Sequence, residues 1–240
     1  KNLAKLVSLG YTEGFYYKPR IDKEALEQYH ENLICCSACL AGEVNQAILK
    51  NNMEEAKKVA LWFKKLFGED YYLEIQNNGI KEQVLVNQKL IELSRELDIP
   101  LVATNDAHYL KREDAYNHEV LLCIQTGKKM SDEDRMKFET DELYVKSPEE
   151  MSDYFKNVPE AIENTVKIAE KCNVEFEFGH TILPNYDVPE EFETHYDYLK
   201  KLCDDGIKNR YGENPTKEIL ERAEFEMNVI NQMGYVDYFL

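Results

Sequence analysis

The chain has 240 residues, enough for one large domain or one domain with part of another. Its balance of 43% apolar and 31% charged residues is that of a folded protein, and no run nears the roughly eighteen apolar residues of a membrane span. The 29 basic and 46 acidic residues leave a net charge of −17, which disfavours nonspecific binding to phosphate backbones but permits a local site where a cation inverts the potential.

The first residues, Lys1-Asn2-Leu3-Ala4-Lys5-Leu6, contain no Met and read as the middle of a helix. The expectation is a chain that starts inside a longer polypeptide. Three of the six cysteines, Cys35, Cys36 and Cys39, crowd together while Cys123, Cys172 and Cys203 are scattered. That is no disulfide framework, and it points to a reducing, cytoplasmic compartment.

Short β-rich runs then alternate with helical patterns. Residues 33–37 form the first strand candidate. The second is Tyr71 to Gln76, closed by the turn signal Asn77-Asn78-Gly79, and the third is Leu101 to Thr104, entered through Pro100. Between them, Ala56, Val59, Ala60, Phe63 and Phe67, and then Val86, Leu90, Leu93 and Leu97, recur at helical spacing. Strand, helix and strand in that order predict parallel βαβ units.

After Gly127 the strand signal fades. Ser147-Pro148-Glu149-Glu150 is a helix start, with a hydroxyl cap, Pro in the first turn and acids facing the helix dipole. A helix from about Pro159 places Ile162, Thr165, Val166, Ala169 and Cys172 on one face. Residues 178–189 read as a connector, followed by helices over about 196–211 and 215–233 and an apolar end at Tyr238-Phe239-Leu240. The expected domains are 1–186 and 187–240.

In parallel α/β folds, functional side chains gather past the carboxyl ends of the strands. That rule selects residues 37–42, 74–79 and 105–108. Asp106 and His108 form an Asp-x-His pair, which in extended backbone points both side chains one way. Carboxylate, imidazole and thiolate are usual zinc ligands, and the first two also suit manganese or iron. The alternative is that His108 packs at the strand end while Asp106 caps a helix starting near Arg112. Cys39 lies beyond its strand, as a thiolate ligand or a core thiol. Cys35 and Cys36 read as small buried hydrophobes, since no second Cys-x-x-Cys or His cluster completes a zinc site.

Glu74 faces either the barrel interior or a salt-bridge partner, and His118 reads as a packing residue. His30, His180 and His195 receive no role. The stretch Phe15-Tyr16-Tyr17-Lys18-Pro19-Arg20 combines three rings with two cations. It either stacks and contacts phosphate or packs over the barrel. P-loop, dinucleotide-binding, nucleophile-elbow and His-Glu-x-x-His motifs are absent. A metal-assisted hydrolase rim with an incomplete ligand set remains.

Four ordered segments carry a family resemblance: residues 13–22, residues 39–44, Thr104-Asn105-Asp106-Ala107-His108-Tyr109-Leu110, and Leu121 to Gly127. Residues 146–151, Glu163-Asn164-Thr165, Cys172-Asn173-Val174 and Met233 to Leu240 continue it in the same order. The chain resembles the bacterial DNA polymerase III alpha subunits, the C-family replicative polymerases.

The resemblance implies an α/β fold, the C-terminal portion of a distorted (β/α)7 polymerase and histidinol phosphatase (PHP) barrel followed by an α-helical segment that starts the polymerase palm. It places Cys39, Asp106 and His108 on metal-ligand positions for zinc or manganese. A multinuclear site would need further ligands from sequence expected to precede Lys1. It implies a DNA-directed DNA polymerase as parent, acting on DNA and deoxynucleotides with the sliding clamp and other replisome subunits, without a membrane. The PHP part would serve 3′–5′ exonuclease proofreading or structural support. The palm carboxylates would lie beyond residue 240, so these residues alone would not polymerise DNA. The rival expectations are a freestanding PHP-type phosphoesterase and a non-catalytic scaffold docking polymerase partners.

Overall fold

The computed structural model describes residues 1–179 and 182–240, and His180 lies outside them. Helix α1 (Asn2–Thr12) leads through a tight loop to α2 (Lys23–Tyr29), whose first turn is capped by Asp22 accepting from Ala25 N at 2.8 Å. Strand β1 is only Cys35–Cys36, shorter than the run 33–37 suggested. Helix α3 (Glu43–Leu49) follows. Helix α4 (Met53–Phe67) has Asn52 as its cap, Glu54 and Glu55 in its first turn and Lys64 and Lys65 in its last. Each of these charges opposes the helix dipole end beside it.

Strand β2 (Tyr71–Gln76), helix α5 (Lys81–Leu97) and strand β3 (Leu101–Thr104) appear where the hydrophobic periodicity placed them. Asp98 ends α5 in the left-handed region, at φ +51°. Among the described residues the strands form one parallel sheet in the order β1-β2-β3, with Cys35 opposite Tyr71 and Leu73 opposite Leu101. The helices that follow are α6 (Ala115–Thr126), α7 (Pro148–Tyr154) and α8 (Glu160–Lys171). The Ser147–Glu150 capping box opens α7 as expected.

Val44, Ile48, Val59, Leu73, Leu90 and Leu93 are buried in one core between the sheet and helices α3, α4, α5 and α8. Fully burying one such side chain stabilises the fold by about 1.5–3 kcal/mol. Helix α8 differs from expectation. Its buried stripe is Ala161 and Asn164, while Val166, Ala169 and Cys172 face outward. The reason is polar: Asn164 Nδ2 donates to the Leu101 carbonyl at 2.8 Å and fastens the helix to β3.

The described residues divide into two compact units, Lys1–Asn173 and Val174–Leu240. The boundary expected at 186/187 falls within the second unit. That unit holds α9 (His195–Tyr211), α10 (Lys217–Gln232) and α11 (Val236–Phe239). Thr194 caps α9 by accepting from Asp197 N, and His195 pairs with Asp237 of α11. An apolar cleft of about 440 Å³ lined by Ile207, Met227, Ile230 and Phe239 runs between these helices. No helix among the described residues is long and apolar enough to cross a membrane.

Candidate functional site

Parallel strands all finish at one edge of their sheet, so the segments after β1, β2 and β3 leave it side by side. After β1, residues 37–42 form a locked turn. Ser37 N donates to the Tyr72 carbonyl at 2.9 Å, and Ser37 Oγ accepts from Glu74 N at 2.8 Å. Ala38 takes φ +64°. Buried Asn45 donates through Nδ2 to the carbonyls of Ala38 (3.1 Å) and Cys39 (2.8 Å). Gly42 is required here, because a Cβ at this position would stand 2.2 Å from the Ser37 carbonyl oxygen. Cys39 is left exposed on the turn, so the core-thiol alternative is overturned. Burial pushes the half-buried Cys35 and Cys36 thiols up to about 12 and about 11, which suits inert packing groups.

At the end of β2, Glu74 Oε1 accepts from Thr104 Oγ1 at 2.5 Å and from Gln76 Nε2 at 3.1 Å. Among the described residues it makes no salt bridge, so the polar network replaces the ion pair that sequence allowed. Cys39, Asn45, Glu74 and Gln76 line one cavity of about 10 Å³, room for a water-sized guest. Asn45 Oδ1 is buried without a hydrogen-bond partner among the described residues.

After β3, Asp106 Oδ1 stands 3.3 Å from His108 Nε2. The route to this pairing differs from the one the spacing suggested. The strand stops at Thr104 and Asp106 lies at φ +55°, so a left-handed turn, not an extended run, brings the two side chains together. Asp106 does not cap the turn at residues 112–114, which is closed by Lys111 N donating to Asp114 Oδ2 at 3.1 Å. The loop is braced from residues 143–146. Asn105 Nδ2 donates to the Tyr144 carbonyl and Lys146 N to Asn105 Oδ1, both at 2.8 Å, while His108 N donates to the Leu143 carbonyl at 2.7 Å.

The His108 ring meets His118 and Phe138 edge-on, with centroids 5.3 and 5.2 Å away. Burial first, and the neighbouring His108 second, lower the pKa of His118. His118 therefore packs, as expected, but against the candidate pair itself. Asn45 received no role from the sequence, which marked Asn105 and Lys146 only as members of longer segments. Asn45 sits inside a short helix and Lys146 in an irregular segment, so neither position carries a periodic signal. The Lys146 side chain is buried, which lowers its pKa, and its ammonium donates to the Glu142 carbonyl.

The structure thus pairs Asp106 with His108 and places Cys39 beside Glu74. Among the described residues, no three His, Cys, Asp or Glu side chains stand together as a ready metal-holding group. The donor chemistry nonetheless fits a divalent cation. A carboxylate oxygen and an imidazole nitrogen face each other without further side-chain hydrogen bonds among the described residues.

Comparison with known proteins decides the family likeness. The family model described as PHP domain matches residues 1–78, and that described as bacterial DNA polymerase III alpha NTPase domain matches residues 197–240. The whole chain aligns with the DNA polymerase III subunit alpha of Borreliella burgdorferi at 54% identity. Those of Treponema pallidum and Campylobacter jejuni align over the whole chain at 45% and 41%. Along its full length the chain is similar to DNA polymerase III alpha subunits. It spans 21%, 20% and 22% of those three relatives, about a fifth of each. The PHP match contains Cys39 and stops before Asp106 and His108.

Proposed function

We propose that this chain is the PHP-bearing stretch of a DNA polymerase III alpha subunit, a DNA-directed DNA polymerase of the cytoplasm. Residues 1–186 are the C-terminal half of a (β/α)7 PHP barrel with its helical extension, and residues 187–240 start the palm. The palm carboxylates that join deoxynucleotides lie outside these residues, which do not extend a primer by themselves. DNA, the sliding clamp and other replisome subunits are the partners of the whole protein.

In this reading Cys39, Asp106 and His108 hold a divalent cation, zinc or manganese, at the carboxyl edge of the sheet. A cation held by these residues would lower the pKa of bound water and neutralise charge on a phosphodiester, chemistry that suits 3′–5′ proofreading hydrolysis. Asp106 orients the imidazole of His108 through their 3.3 Å contact. Asn45 fixes the turn that presents the Cys39 thiol, and Asn105 fixes the loop that carries the pair. His118 and Phe138 wall the imidazole and exclude water from that side. The observation that carries the reading is the Asp106–His108 pair at the end of β3, in a chain that matches alpha subunits throughout.

A structural cation that braces the polymerase is the second reading. A freestanding phosphoesterase leaves the match over residues 197–240 without a reason. Metal analysis with a nuclease assay on single-stranded DNA separates them. Release of 3′ nucleotides that Asp106→Ala abolishes supports proofreading, whereas bound metal without hydrolysis supports bracing. Template-dependent primer extension by these residues would contradict the palm assignment.

A further inference from the structure

We propose that the loop between α1 and α2 is a stacking platform for single-stranded DNA, separate from the metal site. Three neighbouring rings stand in solvent: Phe15 is 57%, Tyr16 64% and Tyr17 82% exposed. The sequence left open whether this stretch packs over the barrel, and in the structure its three rings stand exposed. Aromatic rings with sequence-tolerant π-faces, set beside cations that track phosphate, are what single strands bind. Lys18 and Arg20 supply the cations. Both are exposed, and among the described residues neither forms a salt bridge. The nearby Asp22 carboxylate is already engaged as the cap of α2.

The loop is built to hold this display. Arg20 N donates to the Gly14 carbonyl at 3.2 Å and Tyr16 N to the Lys18 carbonyl at 3.2 Å. A Cβ on Gly14 would stand 1.9 Å from the Arg20 carbonyl oxygen, so only glycine lets the two ends close. Tyr17 takes φ +61°, a left-handed conformation that a tyrosine rarely adopts. Tyr16 and Tyr17 meet edge to face with centroids 4.5 Å apart, and the Arg20 guanidinium lies 5.7 Å from the Tyr16 ring. The backbone that carries the rings is thus closed before a ligand arrives, which lowers the ordering cost of binding. A chain of net charge −17 has little long-range attraction for nucleic acid, so contact here depends on stacking and two local cations.

The choice of DNA rests on the polymerase reading, and a metal-uptake measurement beside the binding assay keeps their failures distinguishable. Fluorescence anisotropy of a labelled oligo-dT of about twelve nucleotides, in EDTA and low salt, reads the platform without metal. The chain binds, Tyr17→Phe retains binding, and Tyr17→Gly, which suits the positive φ, weakens it by about five-fold or more. With two phosphate contacts, log affinity falls against log salt with a slope of about −1.4, and Lys18→Ala with Arg20→Ala flattens it. Circular dichroism confirms that each variant is folded. No binding by the unaltered chain, or equal binding by Tyr17→Gly, overturns the proposal. Retained oligonucleotide binding in a chain that takes up no metal would instead count against the metal centre alone.

Discussion

Asp106 has a positive φ that costs of order 1–3 kcal/mol in a residue other than glycine, and its carboxylate meets His108 as a result. The residue types of this site were legible in the sequence, but the backbone that pairs them was not. A two-residue spacing suggested a strand, and the left-handed turn depends on Asn105 being tied to residues 144–146 far along the chain. The turn that carries Cys39 is just as dependent on its supports. Gly42→Ala forces the Ser37 carbonyl to move and displaces the thiol. The expected outcome is cadmium affinity reduced by about ten-fold, within the range seen when metal-site supports are lost. Isothermal titration checks it, and unchanged affinity would show that Cys39 needs no fixed turn.

The elements most readable in advance were those whose pattern had one solution. Strands β2 and β3 are short apolar runs bounded by turn residues, and α5 repeats Val86, Leu90 and Leu93 on a single face. Helix α8 was misread because apolar periodicity favoured a stripe through Val166, whereas a buried amide chose the stripe through Asn164. Helix α3 gave no signal because its seven residues are too few to repeat an apolar face. Asn164→Leu keeps the branched outline of the side chain but leaves the Leu101 carbonyl without its partner. A buried acceptor so orphaned costs about 1–3 kcal/mol. Urea denaturation should show a lower midpoint, and an unchanged midpoint would mean that the α8–β3 clasp contributes nothing.

Across the whole molecule, burial of groups near β1 and β2 ties stability to alkaline pH. Cys35 and Cys36 are raised from 9.0 to about 12 and about 11, and burial also raises the Tyr71 phenol well above 10.0. The unfolded chain releases these protons first, so the folded state holds more of them and loses stability as pH rises. The contribution is complete below about pH 9 and declines towards pH 12. Replacing both cysteines by alanine should make the decline shallower, with the Tyr71 component left. A denaturation series from pH 7 to 11 of identical slope in both proteins would contradict that origin.

The central claim is that the loops after β1 and β3 bind one cation together. Its most direct test is the visible spectrum of the chain titrated with cobalt(II). A thiolate-to-cobalt charge-transfer band should appear, vanish in Cys39→Ser, and weaken in Asp106→Ala and His108→Ala. A spectrum without that band, or a band indifferent to Cys39→Ser, would contradict the shared metal centre.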